Sequence, residues 1–236
     1  MTLISLHLPK TAGTSFSASL AEYFGDRYRS DYADAAISKS PYERGTQAAH
    51  AALQLAELGL GQVDCVHGHF LPLKYLLLST RRKLVFITWM RDPLARLLSH
   101  FNYWRQNYDE ATAAPHHRQF IEERWTLEKF CLSERFRNIY TQYLWGFPME
   151  NFSFIGLSEH YAEDFRYFAD RYLATTMMPQ QRNVTRGIAT IHSLDPGLEA
   201  EIRQFHAADM VLYRRAQQLR RQRMAVAAGD RNELVY

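Results

Sequence analysis

The sequence predicts an α/β fold: a three-layer domain with a central, mostly parallel sheet flanked by helices. Three observations predict it. Four short runs, residues 3–8, 63–66, 84–90 and 152–155, are apolar almost without interruption. Strands covered on both faces of a parallel sheet read this way. Helical periodicity fills the segments between the runs. The chain has 236 residues, 47% of them hydrophobic, which suffices for one domain with a sizeable core.

Residues 3–8 form the first strand. Phe16, Leu20 and Phe24 then recur every four residues, the spacing of one helix face, and Gly25 supplies a stop. Residues 48–58 are rich in alanine and leucine and end at Gly59. The strands 63–66 and 84–90 follow. Asp92-Pro93 opens a helix, with Asp as the N-cap and Pro at the first helical position. After the strand 152–155, residues 159–173 and 198–222 read as helices. Residues 105–120 are polar and irregular, as an insertion or lid would be, and 176–197 form a long loop. From residue 225 the chain is expected to fray. No internal repeat appears, and residues 1–236 are taken as a single domain.

The net charge is +3, which does not mark a nucleic-acid binder but leaves room for a small anionic ligand held by a few local cations. Cys65 and Cys131 have no metal-like spacing. A reduced cytosolic setting fits them, and one disulfide stays open. No apolar run approaches the length of a membrane span, and no basic leader precedes the first strand. Neither a signal peptide nor a membrane anchor is expected.

LHLPKTAGTSF, residues 6–16, runs from a strand through a small-residue turn into a helix. Free N–H groups of a helix's first turn, its dipole, small residues and hydroxyls suit a phosphate, and Lys10 adds a mobile charge. A plain connection with an exposed lysine is the competing reading. A Walker loop fits poorly, because its lysine follows the glycines and Lys10 precedes the turn. That order resembles the 5′-phosphosulfate loop of sulfotransferases using 3′-phosphoadenosine 5′-phosphosulfate (PAPS). PKTAGTSF is close to the form in Golgi carbohydrate sulfotransferases and their bacterial relatives. The resemblance implies a P-loop-like domain. It also implies that Lys10 contacts the phosphosulfate while Thr11, Ala12, Gly13, Thr14, Ser15 and Phe16 wrap the 5′-phosphate.

ITWMRDPLARLLSHFNYW, residues 87–104, puts Arg91 at the carboxyl end of a strand, where open α/β sheets bind ligands. Ser99 lies two turns into the next helix, about 10 Å along its axis. An arginine fork and a hydroxyl can hold a terminal phosphate from two directions. An N-capped helix with Arg91 and Arg96 solvated is the competing reading. R-D-P-x-x-R-x-x-S also resembles the 3′-phosphate motif of the same family. This makes Arg91 and Ser99 the 3′-phosphate ligands and leaves Arg96 a structural or secondary role.

CVHGHF, residues 65–70, follows the second run. Transfer to a hydroxyl needs a proton acceptor, and histidine with a pKa of about 6.5 suits it. Gly68 would allow a sharp turn between His67 and His69. A metal pair and two polar strand-end histidines are alternatives. H-G-H resembles the catalytic-histidine region of the uronyl and heparan sulfate 2-O-sulfotransferases. The resemblance implies His69 as base with His67 assisting or positioning.

RNIYTQYLWG (137–146) and FIGLSEHYAEDF (154–165) resemble downstream segments of the family. A loop near 181–187 closes over the cofactor there, which nominates Arg182, Asn183 and Thr185. Trp89 could stack on adenine, with a core position the better reading. Residues 214–223 carry five arginines, read as a solvated helix face. The Golgi relatives carry an N-terminal membrane anchor, which is not expected here, and this departure makes a cytoplasmic, bacterial enzyme the expectation. It would move the sulfuryl group of PAPS to a hydroxyl of a glycan, glycolipid or small metabolite, releasing 3′,5′-ADP. No metal, nucleic acid or transmembrane segment is expected. A P-loop-type phosphotransferase and a non-catalytic nucleotide-binding module are the alternative functions.

Overall fold

The computed structural model describes residues 1–11, 13–34, 39–176, 191 and 194–233. Its centre is a parallel sheet built from β1 (Thr2–Leu6), β2 (Tyr28–Ser30), β3 (Cys65–Gly68), β4 (Leu84–Met90) and β5 (Phe152–Leu157). The strand order is β2-β3-β1-β4-β5, so β1 is central. From β1 the chain moves to one side of the sheet, and from β4 it moves to the other. The crevice beyond the carboxyl ends of β1 and β4 is therefore the topological switch point, where such sheets bind ligands.

Side chains two apart on a strand share a face. One face of the sheet carries Leu3, Cys65, Ile87, Trp89 and Phe154, packed against Phe16 and Leu20 of α1 (Gly13–Phe24) and Phe165 and Phe168 of α8 (Tyr161–Phe168). The opposite face carries Ile4, Leu6, Val66, Phe86 and Met90, packed with Tyr140 and Tyr143 of α7 (Ile139–Tyr143) and Tyr213. These two layers and the sheet make the expected three-layer α/β domain. A third cluster gathers Leu94, Leu97, Phe101 and Trp104 of α4 (Pro93–Gln106) against Phe120, Phe130 and Ile202. Each fully buried Phe or Leu of this kind contributes about 1.5–3 kcal/mol by its removal from water.

Gly25, at φ +52°, ends α1 in the left-handed region that favours glycine. α2 (Pro41–Leu58) begins earlier than its apolar stretch shows. Ser40 caps it through a reciprocal capping box with Glu43, and Gly59 at φ +72° closes it. Asp92 caps α4 through Ala95 N at 3.0 Å, with Pro93 at the first position as expected.

Several expectations need correction. β1 stops at Leu6, and β3 begins at Cys65, so His67 is inside a strand rather than after it. β2 is a three-residue edge strand too short to show a hydrophobic pattern. Residues 159–173 are not one α-helix: a 3₁₀ turn (Ser158–His160) precedes α8, and a π turn (Ala169–Leu173) follows it. Residues 198–222 are split into α9 (Pro196–Phe205) and α10 (Ala207–Glu233). The break is at His206, whose buried ring is held by Cys131 O at 2.7 Å and Asn138 N at 3.3 Å. The helix runs on through 225–233, where fraying was expected. Within 105–120, the second half enters α5 (Pro115–Glu122), which buries Phe120 in the third cluster.

The arginine run is not simply solvated. Arg220 and Arg223 pair with Asp164, which is fully buried, and Arg223 also donates to Ile155 O on the edge strand β5 at 2.7 Å. That contact satisfies a carbonyl of the edge strand. Cys65 and Cys131 are free and buried. Among the described residues, no helix is long and apolar enough to cross a membrane.

Candidate active site

The two sequence motifs meet at the switch point. Lys10 lies in the turn after β1, and Arg91 follows the last residue of β4. Burial pulls the Lys10 pKa down to about 8, and the positive charge of Arg91 pulls in the same direction. The two cations are therefore within electrostatic reach of each other. Neither forms an ion pair among the described residues, and both are only partly exposed.

The backbone at Arg91 is fixed from below. Tyr140 Oη accepts from Arg91 N at 3.1 Å and donates to Arg91 O at 2.7 Å. Glu159 accepts from Asp92 N at 2.7 Å, and Arg203 reaches Asp92 Oδ2 at 3.3 Å. Ser99 sits on α4, half-buried, eight residues past Arg91 in the chain and one turn before Tyr103. Arg96 is fully buried, its Nε and Nη2 have no hydrogen-bond partner among the described residues, and it faces the Tyr140 ring at 5.8 Å. It is an interior residue, not the solvated one of the competing reading.

In the turn after β1, the described side chains of residues 11–16 are largely turned inward. Thr11 is buried and its hydroxyl donates to Leu8 O at 2.8 Å. Ser15 is buried, and Phe16 is a core residue with no exposure. Gly13 opens α1, so the N-terminus of that helix follows the turn that carries Lys10. For Thr14 only the backbone is described. Ala12, Arg182, Asn183 and Thr185 lie outside the described residues.

His67 and His69 are joined by a residue the sequence did not single out. The ring of His7 stacks on His69 at 4.3 Å and on His67 at 5.2 Å. The signal was a parallel register: Ser5 lies beside His67, so His7, two residues on, comes beside His69. Ser5 Oγ and His67 Nδ1 are 2.8 Å apart, and His67 Nε2 is buried without a partner among the described residues. Burial lowers the His67 pKa to about 3, and His69 adds to the shift. His69 is half-buried and its pKa is lowered by burial, an effect opposed by its bond to His7 O. Because a carbonyl only accepts, His69 Nδ1 carries the hydrogen in that bond and Nε2 keeps its lone pair. His7 is held well below its usual value by burial, then by His69, His67 and Lys10.

Gly68 does not make a sharp turn. It is the last residue of β3, and an added Cβ would lie 1.7 Å from Asp31 O. Its role is to let the Asp31 backbone pass close by, where Asp31 N donates to His67 O at 2.9 Å. The Asp31 carboxylate is held by Lys74 Nζ at 2.6 Å and by the Tyr75 hydroxyl. Tyr32 is thereby presented edge-on to His69 at 5.0 Å, with its hydroxyl 3.4 Å from His7 Nδ1. Trp89 is a core residue, edge-on to Phe16 at 5.3 Å. Among the described residues, no group of three His, Cys, Asp or Glu side chains has a metal-binding arrangement.

No protein-family model matches the chain, and no curated protein matches it in sequence. Several solved structures are similar in chain course, three of which follow. One is a sulfotransferase from Alicyclobacillus acidocaldarius, 15% identical, matched over 93% of this chain and 95% of that one, with a TM-score of 0.45. Another is a mouse sulfotransferase complexed with PAP, 12% identical over 89% of this chain and 64% of that one, TM-score 0.36. The third is an uncharacterized protein from Eubacterium ventriosum, 12% identical over 72% of this chain and 98% of that one, TM-score 0.36. These likenesses bring no residue role to this chain.

Proposed function

We propose that the chain is a PAPS-dependent sulfotransferase that moves the sulfuryl group to a hydroxyl of a carbohydrate, glycoconjugate or small metabolite. The observation that carries this reading is the pair Lys10 and Arg91. Two half-buried cations repel each other at a switch point, with no ion-pair partner among the described residues. Such a pair is relieved by a multiply charged anion. Its setting, at a helix N-terminus and with Lys10 in electrostatic reach of His7, which stacks on His69, suits a phosphate donor and a proton-releasing acceptor.

In this reading the backbone of residues 11–16 and Lys10 hold the 5′ end of the donor, and Arg91 and Ser99 hold the 3′-phosphate. The acceptor oxygen attacks sulfur in line. As the new O–S bond forms, the bond from sulfur to the bridging oxygen breaks, and its electron pair stays on 3′,5′-ADP next to Lys10. The acceptor proton goes to His69 Nε2. His67, buried and neutral, supports the stack. Positioning and charge stabilisation carry the rate.

Calorimetry on the full chain tests the donor assignment. 3′,5′-ADP should bind more tightly than 5′-ADP by about 2–4 kcal/mol, the worth of the charged hydrogen bonds to one phosphate. Arg91→Ala should narrow that difference. Equal affinities for the two nucleotides in the wild-type protein would sink the reading.

A further inference from the structure

Lys10 is held in an unusual way. Its backbone lies at φ +66°, in the left-handed region, where a residue with a side chain is strained. From there the side chain crosses from the phosphate loop to α4. The ammonium rests 3.7 Å from the centroid of the Tyr103 ring. No carboxylate pairs with it among the described residues, so the ring face is the attractive partner on view. Tyr103 itself is 43% exposed, one turn beyond Ser99 on the same face of α4. An aromatic ring that exposed contributes little to the core, and its place above the loop calls for another role.

We propose that Tyr103 positions Lys10 for the donor, its ring being the platform on which the ammonium is held between the phosphate loop and α4. The proposal rests on the sulfotransferase reading of the site. An ammonium has three donors. The ring occupies one side of it and leaves the other hydrogens directed to the crevice. A lysine side chain left free must be ordered when an anion binds, and one already resting on a ring is largely ordered beforehand. The strained backbone at Lys10 then has a purpose: it aims the side chain across the mouth of the site.

Two measurements on the full-length protein test this. The chain has five lysines, Lys10, Lys39, Lys74, Lys83 and Lys129, so isotope-labelled lysine spectra are simple. The ε-methylene signal of Lys10 should be shifted upfield by the ring. It is assigned with Lys10→Met, because Lys129 also lies over a ring, that of Trp125, at 4.8 Å. The shift should vanish in Tyr103→Leu and persist in Tyr103→Phe. Calorimetry with 3′,5′-ADP should show Tyr103→Leu weaker by about tenfold and Tyr103→Phe close to wild type, with melting temperatures of all three nearly equal. An unshifted Lys10 signal, wild-type affinity in Tyr103→Leu, or equal losses in the Leu and Phe variants would overturn the proposal. Failure of the wild-type protein to bind 3′,5′-ADP would instead overturn the sulfotransferase reading, and the ring shift would still report whether Tyr103 holds Lys10.

Discussion

The imidazole of His7 fills the space in front of Gly13: a Cβ built on Gly13 would lie 1.8 Å from His7 Nε2. The first residue of α1 and the histidine stack are thus one packed unit. Gly13 is glycine because His7 approaches it, and the His7 ring stacks on His67 and His69.

Gly13→Ala should therefore destabilise the fold by about 1–3 kcal/mol, the usual cost of overpacking. The sign is informative, because alanine favours a helix over glycine and would otherwise stabilise α1. Urea denaturation measures it. Removing the ring with His7→Ala in the same chain should recover most of the loss, giving a large coupling in a double-mutant cycle. Simple additivity of the two changes would mean that the ring is not what Gly13 accommodates.

His69→Ala should lower turnover by about 10²–10⁴ while leaving 3′,5′-ADP affinity nearly intact, as expected for a proton acceptor that does not hold the nucleotide. The assay uses radiolabelled PAPS with an acceptor found by screening. Full activity in His69→Ala would remove its role as base. His7, whose ring lies against both His69 and Gly13, would then be the next histidine to test.

Much of this site was legible in the sequence because its parts sit at strand ends. Lys10, Arg91 and His69 each follow a run of apolar residues, and Asp92-Pro93 announces its helix. What could not be read is lateral. His7 gains meaning only from the register that sets Ser5 beside His67. Tyr32 depends on β2, three residues long, and on the ion pair of Asp31 with Lys74. The break at His206 comes from contacts to Cys131 and Asn138, far away in sequence. Local periodicity carries none of this. The hydroxyl of Thr11 shows the opposite error: a donor suited to phosphate is used within the loop, on Leu8 O.

The affinity for 3′,5′-ADP should depend on pH through Lys10. Burial and Arg91 depress its pKa to about 8 in the free protein. A bound phosphate favours the charged amine and raises that value, so binding takes up a proton at higher pH. Affinity should be level below about pH 7.5 and fall above pH 8, approaching tenfold per pH unit. Calorimetry across pH 7–9.5 measures it. Lys10→Met should bind more weakly and lose this dependence; an unchanged alkaline fall in that variant would assign it to another group.

Stability should respond to acid through the buried histidines. His67 has a folded pKa lowered from 6.5 to about 3, and His206 one lowered to about 4, both mainly by burial. Above pH 6.5 these rings are neutral in both states, and nothing changes. Below it the unfolded chain binds protons that the folded chain refuses, so stability falls as pH drops from 6.5 toward 4 and 3. The slope is at most about 1.4 kcal/mol per pH unit for each ring. Asp34 and Asp209, whose pKa values burial raises, act in the opposite direction at the acid end. Urea unfolding between pH 7.5 and 5 follows the decline, and comparing the His67 variant with the wild-type protein cancels the contribution of the two carboxyls. His67→Asn should be less stable at pH 7.5, having lost its packing, yet show a shallower decline on acidification. A decline as steep as that of the wild-type protein would mean that His67 is not held neutral in the stack, and its supporting role beside His69 would fall with it.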